Sequence, residues 1–176
     1  SEHLTWKEAA LAAADAGAAA VTIHARTRAQ GYEGKSDKSI IACAVQVLNG
    51  RIPVFASGDV FSPEDARLIF EQTRCDAVMF ARGAMGNPFV FAQTRSFLQT
   101  GSYQNISCAE RLKTGLLELE LLCADKGEYT ACREMRKRFC AYIKGFEGSA
   151  ALRKAVVAAQ TVSDYKNLAQ PLIGKL

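Results

Sequence analysis

The sequence has 176 residues, 49% of them hydrophobic and 23% charged, with a formal net charge of +4. This is an ordinary globular composition with enough apolar residues for a core. It contains no long uncharged apolar run and no recognisable signal peptide, so we expect neither a membrane span nor secretion, and we expect a cytoplasmic protein.

The six cysteines agree with a reducing compartment. None of them forms a C-x-x-C pair, and several lie inside apolar helical patterns. This spacing disfavours both a metal site and a disulfide framework. We therefore expect reduced, buried thiols at positions 43, 75, 108, 123, 132 and 140.

The first predicted element is a helix whose start and end are both marked in the sequence. Thr5 can act as the N-cap, Glu8 stands at the capping-box position three residues later, and Gly17 marks the end. The apolar run 19–25 then predicts a strand.

Two further strands and three further helices are predicted before residue 100. Asn49 and Gly50 end one helix, and Ser62 begins the next as its N-cap, with Pro63 at the first helical position and acidic residues behind it. In chain order we predict a helix at 39–50, a strand at 52–57, a helix at 62–73, a strand at 75–81 and a helix after the segment 82–88.

This alternation indicates an α/β fold. The strands are short, apolar and not alternating, which is typical of a parallel sheet covered on both faces. Each strand ends in polar or glycine-rich residues, and the sites of α/β folds lie at the carboxyl ends of their strands. We therefore expect the three strand ends to form three sectors of one site.

The rest of the chain shows no strand pattern and is predicted to be all-α. We therefore divide the chain into an α/β part, residues 1–100, and a helical part, residues 101–176. The predicted helices of the second part are 108–125, 128–145, 149–160 and 163–170.

The helical part carries a basic stripe. Between residues 133 and 154 there are seven Lys or Arg against two acids. A helical period places Arg133, Lys137 and Lys144 on the face opposite Met135. Such a stripe is either a solvated surface or a track for a nucleic-acid backbone.

The strand count is too small for a closed barrel. A (β/α)8 barrel takes roughly 200 to 250 residues, whereas the α/β part supplies three strands. A lone three-stranded parallel sheet would leave an edge and a face uncovered. We therefore expect this chain to be a fragment of a larger protein.

The loop after the first strand is rich in residues that bind ligands. His24 stands at the strand end, and Arg26, Arg28 and Tyr32 follow it. Singly, these would be a core histidine, solvated charges and a packing residue. Their combination at a strand end favours a ligand-facing role.

Glycines at the other two strand ends indicate phosphate binding. "ASGDV" and "ARGAMGNP" follow consecutive strands, and a glycine there is often only a turn. In two consecutive units, however, such glycines let backbone N–H groups approach a phosphate in front of a helix N-terminus.

Four strings of the sequence carry a family resemblance. "VTIHARTRAQGYEGKSD", "IPVFASGDVFSPEDA" and "CDAVMFARGAMGNPFVF" resemble the tRNA-dihydrouridine synthase family in order and spacing. "REMRKRFCAYIKGFEGSAALRKAV" is similar to that family's helical tRNA-binding domain. The resemblance covers nearly the whole chain.

The resemblance implies a fold, a cofactor and a reaction. These flavoproteins have an FMN-binding (β/α)8 TIM barrel followed by a helical bundle, so the chain would supply about the last three βα units and the bundle. They reduce a uridine in tRNA to 5,6-dihydrouridine with FMN reduced by NADPH. Hydride passes to C6 of the flipped uracil, and a cysteine acid protonates C5.

The resemblance also implies site residues. The expected cofactor-binding residues are His24, Ser57, Gly58, Asp59, Arg82, Gly83 and Ala84. With the loop tyrosine and the basic helical residues added, the expected substrate-binding residues are Arg26, Arg28, Tyr32, Arg133, Arg136, Lys137, Lys144 and Arg153.

The chain departs from the family pattern in three places. Ser57 stands where the family usually has asparagine, and Arg138 stands where it usually has histidine. The first five strands are absent, and with them the Gly-Cys-Pro loop that carries the acid cysteine. We therefore expect no catalytic acid in this chain and no activity from the chain alone.

Two other functions remain open at this point. One is a different FMN barrel oxidoreductase of the dihydroorotate dehydrogenase type, which would have no use for a basic helical part. The other is an RNA-binding module whose flavin site has decayed.

Overall fold

A computed structural model describes residues 5–146 and 148–174. Within these residues the chain has eight α-helices, one 3-10 turn and a three-stranded sheet. It divides into two compact units. The first comprises residues up to 84 together with 90–103, and the second comprises 85–89 together with the chain from 104 onward.

The first unit contains the sheet and confirms the predicted order of helices and strands. The three strands are shorter than the predicted runs of six or seven residues. Four residues of the first strand pair with the second, and only three of the second pair with the third. The elements are α1 (Trp6–Asp15), β1 (Val21–His24), α2 (Lys38–Leu48), β2 (Val54–Ser57), α3 (Pro63–Thr73), β3 (Ala77–Met79), a 3-10 turn (Arg82–Ala84) and α4 (Val90–Thr100).

Local sequence explains most of the helix ends. Ser62 is the N-cap of α3 and Asn49 ends α2, as predicted; in addition, Ser62 and Asp65 form a capping box, and Asn49 is left-handed. The capping box predicted at Thr5 is wrong, because the Thr5 side chain makes no cap hydrogen bond. Thr5 has φ −91° and ψ 8°, outside the extended region in which an N-cap oxygen reaches the next turn.

The sheet is parallel, in the order β1-β2-β3, and only one of its faces is well covered. Val54 and Ala56 on the covered face are buried. Thr22 and His24 on the other face of β1 are exposed, and so is Met79 of β3. The prediction of a sheet covered on both faces is therefore wrong for the described residues.

Chain connectivity explains the open face. Each strand pairs with the next in sequence, and right-handed crossovers then place all connecting helices on the same side. The helices contact one another in the series α1–α2–α3–α4, as a single layer. Ile41, Ala56 and Ile69, all fully buried, form part of the core between this layer and the sheet.

The second unit consists of four helices with short connections, and its described residues contain no strand. Gly115 of the first long helix lets the next one approach, because an added Cβ would lie 3.1 Å from the Phe139 ring. Phe139 and Tyr165 pack edge to face at 5.2 Å in the core. The helices are α5 (Cys108–Lys126), α6 (Glu128–Tyr142), α7 (Ser149–Ala158) and α8 (Val162–Ile173).

The six cysteines are free thiols. Cys75 and Cys132 are buried as predicted, but Cys43 and Cys108 are exposed, so the prediction of buried thiols is wrong for these two. Among the described residues no cluster of His, Cys, Asp or Glu could hold a metal ion. No helix in the described part of the chain is long and apolar enough to cross a membrane.

Candidate functional site at the strand ends

The carboxyl ends of the three strands form a row on the open face of the sheet. His24, Ser57 and Met79 occupy paired positions there. The Nδ1 atom of His24 lies 3.0 Å from the Ser57 hydroxyl, so this hydrogen bond fixes the imidazole at the rim of a small cleft. Asp59 and Arg82 line the same cleft.

Arg26 holds the loop after β1 from within. Its side chain is only 4% exposed. The guanidinium donates to the carbonyls of Gly31 (3.1 Å), Glu33 (2.9 Å) and Gly34 (2.8 Å), and to Asp59 Oδ2 at 2.6 Å. Arg26 therefore makes four hydrogen bonds within the protein, two from each Nη atom, and the prediction of a substrate contact did not include them.

Asp59 connects the loops that follow all three strands. Its Oδ2 accepts from Arg26 and from the Ser36 N–H at 2.7 Å, and its Oδ1 accepts from Arg82 at 3.0 Å. Burial raises the pKa of Asp59, but the Ser36 N–H and the Arg26 guanidinium outweigh it, and the pKa lies below its usual value. The carboxylate is therefore ionised at neutral pH.

Arg82 is the exposed cation of the cleft. Its guanidinium carbon lies 4.4 Å from the centre of the Tyr32 ring and 5.1 Å from that of Phe61. The side chain is nevertheless 41% exposed. The residues around this cleft, joined through Asp59 and Arg82, are here called the strand-end cluster. Because Arg26 and Arg82 carry two positive charges against one negative charge on Asp59, the cluster has one net positive charge and favours an anion.

Close packing explains why glycine stands at two positions of the strand ends. A Cβ on Gly83 would lie 2.3 Å from the Val60 carbonyl oxygen, so the two neighbouring loops touch backbone to backbone. Gly58 has φ +120°, and its Cβ would lie 3.0 Å from Ser36. The Ala84 N–H donates to the Ala81 carbonyl at 3.1 Å and closes the 3-10 turn.

The remaining predicted residues of the loop are exposed. Tyr32 is 74% exposed and lies beside Arg82. Arg28 is exposed and lines a second, larger cleft beside β1, together with Trp6 and His24. The structure thus brings Tyr32 to the strand-end cluster and places Arg28 on the other side of His24.

The basic stripe of α6 is only partly free. Lys137 is exposed and has no hydrogen bond or ion pair within the described residues. Arg133 is also exposed, but it donates to the Tyr129 hydroxyl at 3.0 Å and packs on that ring. Met135 is fully buried, as the predicted helical face requires.

Three other predicted residues of the helical unit differ in their surroundings. Arg136 is half-buried, and its Nε and Nη2 donate to the carbonyl of Ala159, the residue that ends α7, at 3.2 and 3.1 Å. Lys144 lies beyond α6, because the helix ends at Tyr142, so the predicted single stripe is wrong at this position. Arg153 is exposed on α7.

Sequence reasoning missed two members of the strand-end cluster. Ser36 supplies a backbone N–H to Asp59, and its hydroxyl donates to Gly58. Phe61 supplies the second ring beside Arg82. Phe61 follows the "ASGDV" string directly, so its position could have indicated a role; an N–H donor cannot be recognised from residue type.

The comparisons with known proteins point to one family. The family model for dihydrouridine synthase matches residues 1–174. A probable tRNA-dihydrouridine synthase of Treponema pallidum is 50% identical over 165 residues, which are 93% of this chain and 48% of that protein. A probable tRNA-dihydrouridine synthase 1 of a Synechocystis species is 39% identical over 155 residues, 88% of this chain and 43% of that protein.

A third relative agrees with these two. The tRNA-dihydrouridine synthase B of Shewanella oneidensis is 37% identical over 143 residues, 81% of this chain and 44% of that protein. The chain thus spans about half the length of the curated relatives it matches. Because the family model covers nearly all of its residues, the chain belongs to the dihydrouridine synthase family.

Proposed function

We propose that this chain is the C-terminal part of a tRNA-dihydrouridine synthase, which reduces uridine in tRNA to 5,6-dihydrouridine. Residues 1–100 would form the last three βα units of its barrel, and residues 101–176 its helical tRNA-binding domain. The observation that carries the proposal is the strand-end cluster of His24, Arg26, Asp59 and Arg82, with its net positive charge, in a chain of this family.

The winding of the sheet supports a barrel. Consecutive strands are neighbours, the helices form one layer, and the opposite face of the sheet is open. A doubly wound sheet would reverse its strand order and place helices on both faces. A barrel keeps the order and points the open face at its interior, where further strands cover it.

The cluster fits FMN in charge and in hydrogen bonding. A phosphate at the ends of β2 and β3 would meet the half-exposed Arg82 guanidinium and the glycine backbone at positions 58 and 83. The net positive charge of the cluster favours such an anion. His24 would hold the cofactor ring from the end of β1. FMN, reduced by NADPH, would supply the hydride for uridine reduction.

The exposed cations and Tyr32 are suited to tRNA. Lys137 has no competing partner within the described residues, and Arg133 and Arg153 are exposed on neighbouring helices. Lys144 would extend the contact beyond the end of α6, and Arg136 would contribute by shaping the end of α7. At the strand ends, Arg28 and Tyr32 are exposed toward a substrate.

Deletion of the gene that encodes this chain tests the proposal. We expect tRNA from the deletion strain to lack dihydrouridine at one or more positions, as measured by mass spectrometry of tRNA digests. A plasmid copy should restore the modification. A copy with Asp76→Asn should restore it equally, because Asp76 lies at the amino end of β2, away from the carboxyl ends of the strands. Unchanged dihydrouridine at every tRNA position in the deletion strain would contradict the proposed function.

A further inference from the structure

We propose that Asp59 is a positioning residue, which fixes both the loop at residues 27–35 and the Arg82 guanidinium in one arrangement. This assigns to Asp59 a role different from the cofactor contact expected from the sequence. The part of the inference that concerns tRNA rests on the proposed function. The part that concerns the loop rests on the geometry alone.

The two carboxylate oxygens of Asp59 hold different loops. Oδ2 accepts from Arg26 at 2.6 Å and from the Ser36 N–H at 2.7 Å, which lie at the two ends of the loop 27–35. Oδ1 accepts from Arg82, in the turn after β3, at 3.0 Å. Asp59 itself lies in the loop after β2 and has φ +52°, a backbone conformation that is uncommon for a residue with a side chain.

The loop depends on Asp59 through the charge of Arg26. The Arg26 side chain is almost completely buried, and Asp59 is its ion-pair partner among the described residues. A buried charge that loses its partner is strongly unfavourable, so the guanidinium would move toward water. Its hydrogen bonds to the carbonyls of Gly31, Glu33 and Gly34 would then be lost.

The same carboxylate keeps two functional groups side by side. Tyr32 lies in the loop that Arg26 holds, and Arg82 is held by Oδ1, with 4.4 Å between the Arg82 guanidinium carbon and the Tyr32 ring centre. Gln30 also ties the loop, through bonds to the carbonyls of Glu33 and Lys35, but these bonds stay inside the loop. In contrast, the Arg26–Asp59 pair joins the loop to the next strand end.

Amide hydrogen exchange of the 176-residue chain tests the loop. In Asp59→Asn we expect exchange at residues 27–35 to be about tenfold faster or more, since charge-assisted hydrogen bonds are lost. Exchange in β2 and α3 should change little. The control is Asp76→Asn, which removes a carboxylate that accepts from the Val54 N–H at the other end of β2; it should leave the loop unchanged.

Two further variants keep the inference testable if Asp59→Asn folds poorly. Arg26→Gln should loosen the same loop, because it removes the buried charge and most of its donors. In Asp59→Asn/Arg26→Gln the loop should exchange no faster than in the more affected single variant, because both changes break one linkage. Loop exchange that is unchanged in both single variants, or additive in the double variant, would overturn the inference.

Affinity for tRNA separates this inference from the proposed function. Filter binding of bulk tRNA to the same variants should show weaker binding for Asp59→Asn and Arg26→Gln than for Asp76→Asn. If the loop loosens and tRNA affinity does not change, the positioning role stands and the substrate role of the loop is wrong. If the loop does not loosen, the positioning role is wrong whatever the tRNA result.

Discussion

Two adjacent basic residues of α6 should separate a structural role from a role in tRNA binding. Lys137 is exposed and has no partner within the described residues, whereas Arg136 donates twice to the Ala159 carbonyl. Lys137→Ala should therefore change the free energy of unfolding by less than about 0.5 kcal/mol. Arg136→Ala should lower it by about 1.5 to 3 kcal/mol, the value of one hydrogen bond from a charged donor, because both N–H groups share the same carbonyl oxygen.

The binding assay should rank the two variants differently. If Lys137 contacts a phosphate, Lys137→Ala should reduce the slope of log K against log salt by about 0.7 to 0.9. Filter binding of tRNA at several salt concentrations measures that slope, and urea unfolding measures stability. Arg136→Lys serves as a control, because it keeps the charge and shortens the reach to Ala159. A Lys137→Ala variant with unchanged affinity and slope would refute the assignment of this face to tRNA.

Three further predictions concern the strand ends. Gly83→Ala should destabilise the chain by about 1 to 3 kcal/mol in urea unfolding, because its Cβ would overlap the Val60 carbonyl; an unchanged midpoint would show that the loops separate freely. His24→Ala should weaken FMN binding in a fluorescence titration, and equal affinity would place His24 outside the cofactor site. Under the proposed function, the 176-residue chain alone should bind FMN weakly, because the open face of its sheet leaves the cofactor ring uncovered; stoichiometric FMN in the purified chain would contradict this.

Local features of the fold could be predicted from the sequence because their causes lie within a few residues. The N-cap at Ser62 and the helix end at Asn49 depend only on neighbouring residues, and both are observed. The strand count indicated that a lone three-stranded sheet would leave a face uncovered, whereas the apolar strands predicted cover on both faces, because strand composition does not record the order of the strands. Short apolar strands such as Val54–Ser57 look alike whether helices cover one face or two.

The site shows a similar limit. The sequence indicated that His24 and Asp59 lie at neighbouring strand ends, and the structure places both in one cleft. It did not indicate that Arg26 turns inward. An arginine in a loop can point either to solvent or to an acidic partner, and the partner here, Asp59, is 33 residues away in the sequence. Arg136 was interpreted as a surface cation for the same reason, since its acceptor is the backbone of a different helix.

The hydrogen bond between His24 and Ser57 has a consequence for proton placement. A serine hydroxyl can either donate or accept, so the bond to Nδ1 at 3.0 Å persists in both neutral tautomers of the imidazole. Nε2 can therefore present a lone pair in one tautomer and an N–H in the other, without movement of the ring. If the proposed flavin binds there, such an imidazole would be able to donate to or accept from a ring nitrogen of the cofactor in either oxidation state.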